Sequence, residues 1–281
     1  MREISDLIEK MYGHHYTPQT ISNMTKAVGV HVEAFKNRTL QKRYVCVYLD
    51  ATYIPVRRDT VSKEAVYIAV GITEDGNKEV LSYTIAPTES AYNYKELLED
   101  LKARGVEEVL LFISDGLKGM DESIFSVYPK SKYQQCLVHI SRNIAHKVRI
   151  TDREEVCHDF KAVYQATSKD EATKAIETFV DKWKKSYPKV VASITSNEYL
   201  LTFYSFPESI RKSIYSTNLI EGLNKQIKRH TKRKEQFPNE ESLERFLVAR
   251  FELYNQQFGI SCHRGFNAAK SELLEMFSLN Q

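Results

Sequence analysis

The chain has 281 residues, is 42% hydrophobic and 27% charged, and carries a formal net charge of only +3; that is enough to bury one large core or two smaller ones, and so small a net charge does not by itself point to nucleic acid. Its four cysteines, Cys46, Cys136, Cys157 and Cys262, form no CxxC pair, and a chain this long does not need disulfides, so a reducing compartment is expected. The opening MREISDLIEK lacks the apolar stretch of a signal peptide and no run approaches the roughly 18 apolar residues of a membrane span, so a cytoplasmic protein with no membrane partner is expected.

Residues 1–30 read as two short helices. The first carries Ile4, Leu7, Ile8 and Met11. The second is capped by Thr17, opened by Pro18 and ended by Gly29, and the pair suggests the last part of a helix-turn-helix. RYVCVYLD (43–50) is a strand ending at Asp50, followed by strands at 65–73 and 78–86. The short links between these three, EDGNK among them, favour antiparallel pairing. AYNYKELLEDLKAR (91–104) is an amphipathic helix closed by Gly105, EVLLFISD (108–115) a buried strand ending at Asp115, 118–127 a helix and YQQCLV (133–138) a fifth strand. The order βββαβαβ predicts a mixed sheet with helices on its faces. Beyond residue 139 the strand signal stops. Helices are expected over 153–166, 170–187, 189–204, 218–230, 240–258 and 263–279.

Three carboxylates stand out. Asp50 and Asp115 each end a strand, and if those strands are parallel neighbours both side chains enter one crevice. Each aspartate also reads as the opening of a turn, Asp115 more so because Gly116 follows. Glu221 lies in STNLIEGLNKQIKRH, where Asn218 and Glu221 have capping-box spacing. Asn224, Lys225 and Lys228 share its side of the helix, so Glu221 is expected to face outward over a basic surface. Carboxylate oxygens suit Mg²⁺ or Mn²⁺, and two such ions about 4 Å apart activate the nucleophile and stabilise the leaving oxygen in phosphodiester transfer.

The segments DATYIPVRR (50–58), TEDGNKEVL (73–81), PTESA (87–91), SDGLKGM (114–120), QCLVHISRN (135–143) and YSTNLIEGLNKQIKR (215–229) together resemble the Mutator-like transposases of bacterial insertion sequences, the IS256 type. The resemblance implies an α/β fold, an RNase H-like mixed-sheet catalytic core interrupted by an all-helical insertion. It divides the chain into a partial helix-turn-helix at 1–35, core segments at 36–138 and 215–260, the insertion at 139–214 and a helical tail at 261–281. It places the family's catalytic, metal-binding carboxylates at Asp50, Asp115 and Glu221 and its C-x₂-H signature at Cys136 and His139. It further implies Mg²⁺, replaceable by Mn²⁺, and DNA partners: the element's terminal inverted repeats and target DNA, held by a homodimer. Members of the family carry a DNA-binding region ahead of the core, so the chain reads as N-terminally shortened, with recognition of element ends reduced.

His139 opens the helix after the fifth strand and is an auxiliary candidate that reaches phosphate or orients a carboxylate. Cys136, inside that strand, reads equally as a small buried hydrophobe. Arg142 belongs to an acid-free basic stretch at 139–149, and Lys225, Lys228, Arg229, Lys232 and Arg233 to another at 222–234. With Arg57 and Arg58 beyond Asp50, these are the expected contacts to the DNA backbone. Three functions fit these features: a transposase that cleaves element ends and transfers 3′-hydroxyls to target DNA, a metal-dependent nuclease without strand transfer, and a non-catalytic DNA-binding fragment of a truncated element.

Overall fold

A computed structural model describes residues 17, 19, 20, 23, 29–57, 61–232 and 235–280. The two opening helices therefore fall almost wholly outside the described residues, as do Arg58 and Arg233. Within them, the Thr20 backbone N–H donates to Thr17 Oγ1 at 3.1 Å, the bond an N-cap at Thr17 makes. Gly29 belongs to α1 (Gly29–Asn37), and the end of the helix expected before it, at 24–28, lies outside the described residues.

Among the described residues, β1 (Arg43–Arg57), β2 (Val61–Thr73), β3 (Lys78–Ala86), β4 (Glu108–Ser114) and β5 (Lys132–Gln135) form one sheet in the order β3-β2-β1-β4-β5. β1, β2 and β3 are successive antiparallel neighbours, as the short links predict, whereas β4 and β5 run parallel to β1. This is the RNase H-like arrangement, an α/β fold. β1 does not end at Asp50. It continues to Arg57 because ATYIPVR keeps the period-two pattern, with Thr52, Ile54 and Val56 buried and Tyr53 and Arg57 exposed, and β2 pairs with it throughout, from Tyr44↔Thr73 to Arg57↔Val61. Pro55 lies in the stretch that β4 no longer accompanies, the edge setting in which a missing N–H is tolerated.

Both faces of the sheet are covered, so the central strand reads as a continuous apolar run. On one face α2 (Ala91–Ala103) and α3 (Met120–Val127) lay Tyr94, Leu97, Leu101 and Ile124 against Tyr44, Val47 and Leu49. On the other, α9 (Asn218–Thr231) and α10 (Glu240–Phe258) bring Ile220, Leu223, Leu247 and Phe251 onto Tyr48, Ile68 and Val70. α2 and α10 begin where the sequence places them, at residues 91 and 240, behind the caps Ser90 and Asn239, whose side chains accept from the backbone N–H groups of Asn93 and Ser242 and so satisfy helix-start donors.

Between β5 and α9 the chain is helical: α4 (Leu137–Lys147), α5 (Arg153–Gln165), α6 (Lys169–Trp183), α7 (Pro188–Thr195), a 3₁₀ turn (Thr202–Ser205) and α8 (Glu208–Ile214). Phe160, Phe179, Trp183 and Phe203 fill its interior, which is continuous with the α9 face of the sheet. The single helix expected over 189–204 stops at Thr195 because the Asn197 side chain accepts from the Tyr199 backbone N–H at 3.0 Å, a local bond that competes with the helix ladder. The fifth strand is shorter than expected because Cys136 leaves it to cap α4. α11 (Phe266–Leu279) closes the fold. Among the described residues no helix is long and apolar enough to cross a membrane.

Candidate active site

The parallel pairing of β1 with β4 keeps one offset from Arg43↔Glu108 to Tyr48↔Ile113. The ladder ends there: Asp50 lies two residues past Tyr48 within β1 and Asp115 directly follows the last residue of β4, so the two carboxyls stand at the same end of these neighbouring strands. By alternation Asp50 follows Tyr48 onto the face covered by α9. The crowding has electrostatic consequences. Burial, and secondly the charge of Asp115, push the Asp50 carboxyl up to about 6. Asn224 of α9 works the other way by donating its Nδ2 to Asp50 Oδ2 at 2.8 Å. Asp115 Oδ1 is buried and has no hydrogen-bond partner. The chain then leaves the strand through Gly116 at φ 89°. A Cβ there would run into the Gln135 side chain, whose Nε2 donates to the Asp115 carbonyl at 3.3 Å.

Glu221 sits in the first turn of α9, but the capping box expected with Asn218 does not form. The N-cap is Thr217 and its side chain makes no capping bond. Thr217 Oγ1 is instead engaged by Cys136 Sγ at 3.3 Å and His139 Nδ1 at 3.2 Å. Nor does Glu221 face outward: its side chain is only 12% exposed. Arg142 grips it by a fork, Nη1 to Oε1 at 2.8 Å and Nη2 to Oε2 at 3.1 Å. His139 Nε2 lies 3.7 Å from Oε1 and Lys225 Nζ 3.8 Å from Oε2. The Arg142 bonds, outweighing burial, hold the Glu221 carboxyl below its usual range. The side of α9 bearing Glu221 and Asn224 is thus turned inward by bonds to α4 and β1, while Lys225, Lys228 and Arg229 remain exposed.

Cys136 is not a strand residue. It is the N-cap of α4, and its Sγ accepts from the backbone N–H groups of His139 (3.5 Å) and Thr217 (3.2 Å). Burial raises the thiol's proton affinity, but the bonds from His139 and Thr217 outweigh it and leave the group lowered. His139 is raised, first by its hydrogen bond with Cys136, against burial, and further by Asp115 and Asp50. The histidine therefore stands within the field of both aspartates as well as beside Glu221. Cys157, the other cysteine near this region in sequence, directs its thiol to the Ser141 carbonyl at 3.9 Å.

The structure thus brings Asp50 and Asp115 to the same end of β1 and β4 and sets Glu221, His139, Cys136 and Arg142 at the same face of the sheet. Among the described residues no three His, Cys, Asp or Glu side chains converge as a ready-made metal-binding group, and the Glu221 carboxylate is turned to Arg142. Lys232 is exposed just past α9 and Arg57 is exposed at the far end of β1. Three neighbours escaped the sequence reading as site residues. Asn224 had a signal, one helical turn beyond Glu221. Thr217 was one residue from the expected cap. Glu89 had none. It is held by the hydroxyls of Tyr53 (3.4 Å) and Tyr94 (3.3 Å), and burial followed by Asp115 raises its carboxyl. A cleft of about 620 Å³, lined by Arg43, Lys102, Glu108 and Tyr128, opens at the opposite end of β1 and β4 from the aspartates.

A profile of the family described as "Transposase, Mutator family" matches residues 1–261. The chain is 50% identical over 276 residues to the transposase for insertion sequence element IS905 of Lactococcus lactis subsp. lactis (strain IL1403), covering 98% of this chain and 71% of that protein. It is 29% identical over 254 residues to the transposase for insertion sequence element IS256 in transposon Tn4001 of Staphylococcus aureus, covering 88% of this chain and 65% of that protein. Among solved structures, the Drosophila P element transposase strand transfer complex aligns with 98% of this chain and 81% of that chain, at 10% identity and a TM-score of 0.36.

Proposed function

The chain belongs to the Mutator family of transposases, and we propose that it carries the catalytic core of an IS256-type DNA transposase, which cleaves phosphodiester bonds at element ends and joins the 3′-hydroxyls to target DNA with the help of divalent metal. Residues 36–138 and 215–260 would form that core, 139–214 its insertion and 261–281 its tail. The observation that carries the proposal is the pair Asp50 and Asp115, brought together at the same end of the parallel neighbours β1 and β4, with one buried oxygen of Asp115 unpartnered and Asp50 resisting ionisation. A cation held by the two would relieve the repulsion and satisfy the orphaned oxygen, and an all-oxygen donor set favours Mg²⁺ or Mn²⁺. Asp50 and Asp115 would hold the metal, with Glu221 as the third carboxylate. When bound, divalent metal activates the attacking oxygen and stabilises the departing 3′-oxygen.

The chain's own groups prepare this site. Asn224 orients the Asp50 carboxylate through its 2.8 Å bond. Thr217 and Cys136 fix the His139 ring so that Nε2 faces Glu221, where it meets the phosphate or orients the carboxylate. Lys225, Lys228, Arg229 and Lys232 lie exposed beside the site as contacts to the DNA backbone of terminal inverted repeat and target, with Arg57, Arg58, Arg142 and Arg233 as further candidates. The test is incubation with duplexes carrying the element's own ends, target DNA and Mg²⁺, with products resolved strand by strand. Joined 3′-ends are expected. Hydrolysis without joining would reduce the chain to a nuclease. Asp50→Asn, Asp115→Asn and Glu221→Gln should each abolish cleavage and transfer while every variant still unfolds in one cooperative transition. Near-normal product from any one of them removes that residue from the site.

A further inference from the structure

We propose that Arg142 is an exchangeable partner of Glu221, clasping the third carboxylate in the DNA-free chain and passing to a DNA phosphate when substrate docks. The inference rests on the reading of the preceding subsection and adds to it the means by which substrate opens the site. Both Glu221 oxygens are taken by the Arg142 fork, at 2.8 and 3.1 Å. A carboxylate bonded in this way keeps only its outward lone pairs for a cation, which would approach beside a fixed positive charge. Removing the guanidinium frees the inner lone pairs and removes that repulsion.

The two partners are unequally placed. Glu221 is 12% exposed, whereas Arg142 is 48% exposed, and the neighbouring Lys225 is 77% exposed. The carboxylate is the fixed, inner half and the guanidinium the accessible half. A planar guanidinium fits a phosphate by the same two-pronged geometry it uses on a carboxylate. DNA held by the exposed lysines of α9 presents phosphates at the position where Arg142 is open to them. Release of Arg142 does not strand a bare buried charge, since His139 Nε2 and Lys225 Nζ remain within 3.7 and 3.8 Å of Glu221. Arg142 is thus a positioning residue that acts through Glu221.

The exchange is tested by a double-mutant cycle on DNA binding in EDTA, where no cleavage occurs. The probe is a short duplex of arbitrary sequence, and the proteins are the unaltered chain, Glu221→Ala, Arg142→Ala and the double variant. If Glu221 competes with DNA for Arg142, Glu221→Ala tightens binding by about fivefold, a typical coupling between sites. Arg142→Ala weakens binding, and in that background Glu221→Ala changes it by less than about twofold. In a Lys225→Ala background the full gain persists, because Lys225 is a neighbour and not the clasp. Arg142→Lys, which keeps the charge and loses the fork, restores only part of the coupling. Glu221→Gln repeats the cycle should the alanine variant unfold. An equal gain with and without Arg142 would show a plain charge effect and overturn the proposal, as would failure of the unaltered chain to bind the duplex. Coupling present without any cleavage in the assay of the preceding subsection would instead overturn the proposed activity.

Discussion

Asp50 is a buried acid beside another acid, and the cost of ionising it falls on the fold. Its carboxyl is pushed from 3.8 up to about 6 by burial and then by Asp115. A carboxyl with a raised folded pKa binds more protons in the folded chain, so stability is full below the unfolded value and declines as pH rises through the folded one. Above about pH 6 the fold carries a penalty on the order of 2 kcal/mol from this group. Asp50→Asn removes it. In EDTA, denaturant melts should show the variant more stable than the unaltered chain by about 1–3 kcal/mol at about pH 7.5 and nearly equal to it at about pH 4. A shift of the same size at both pH values would mean that ionisation of Asp50 is not the cause. A cation held at the proposed site would offset the same penalty.

α9 is the element on which the site turns. Its first turn presents Glu221 to Arg142, its second presents Asn224 to Asp50, and Leu223 and Ile227 anchor it in the core beneath the sheet. The remaining side of the helix is the exposed run Lys225, Lys228 and Arg229. Side chains on one solvated face of a helix meet a duplex backbone and not base edges unless the helix enters a groove. Replacing any one of the three by Ala should therefore weaken DNA binding alike for unrelated sequences and lower the slope of log affinity against log salt by about one. Salt titrations on two unrelated duplexes measure both quantities. A loss confined to one sequence would mean that the face reads bases.

At the scale of the whole molecule, one α/β core bears one set of the proposed catalytic carboxylates Asp50, Asp115 and Glu221. Joining two element ends to a target needs two such sets held together, and closed two-fold assemblies are the usual solution. Active complexes on DNA are expected to contain at least two copies of the chain. Sedimentation of an assembled complex of protein with two ends would count them. One copy per active two-end complex would sink this expectation.

Much of this protein was legible in its sequence because much of it is locally determined. β3 at 78–86 and α10 at 240–258 fall where the periodicity puts them, since strand alternation and the helical repeat act within a few residues. The family was legible in short segments scattered along the chain. β1 outran its expected end because ATYIPVR has a partner in β2 that local reading does not supply. The candidate site was legible as a set of residues but not as an arrangement. That Asp50 nears Asp115 follows from β1 and β4 being parallel neighbours, that Glu221 turns inward follows from Arg142 on another helix, and that Thr217 serves Cys136 and His139 instead of its own helix follows from the docking of α9 on α4. Glu89 joins the neighbourhood only through tyrosines of β1 and α2. The residue types and the elements were determined by the chain's local chemistry. Which carboxylate faces which partner was decided only by tertiary structure, because charges act through space and their distances are set by packing between segments far apart in the chain.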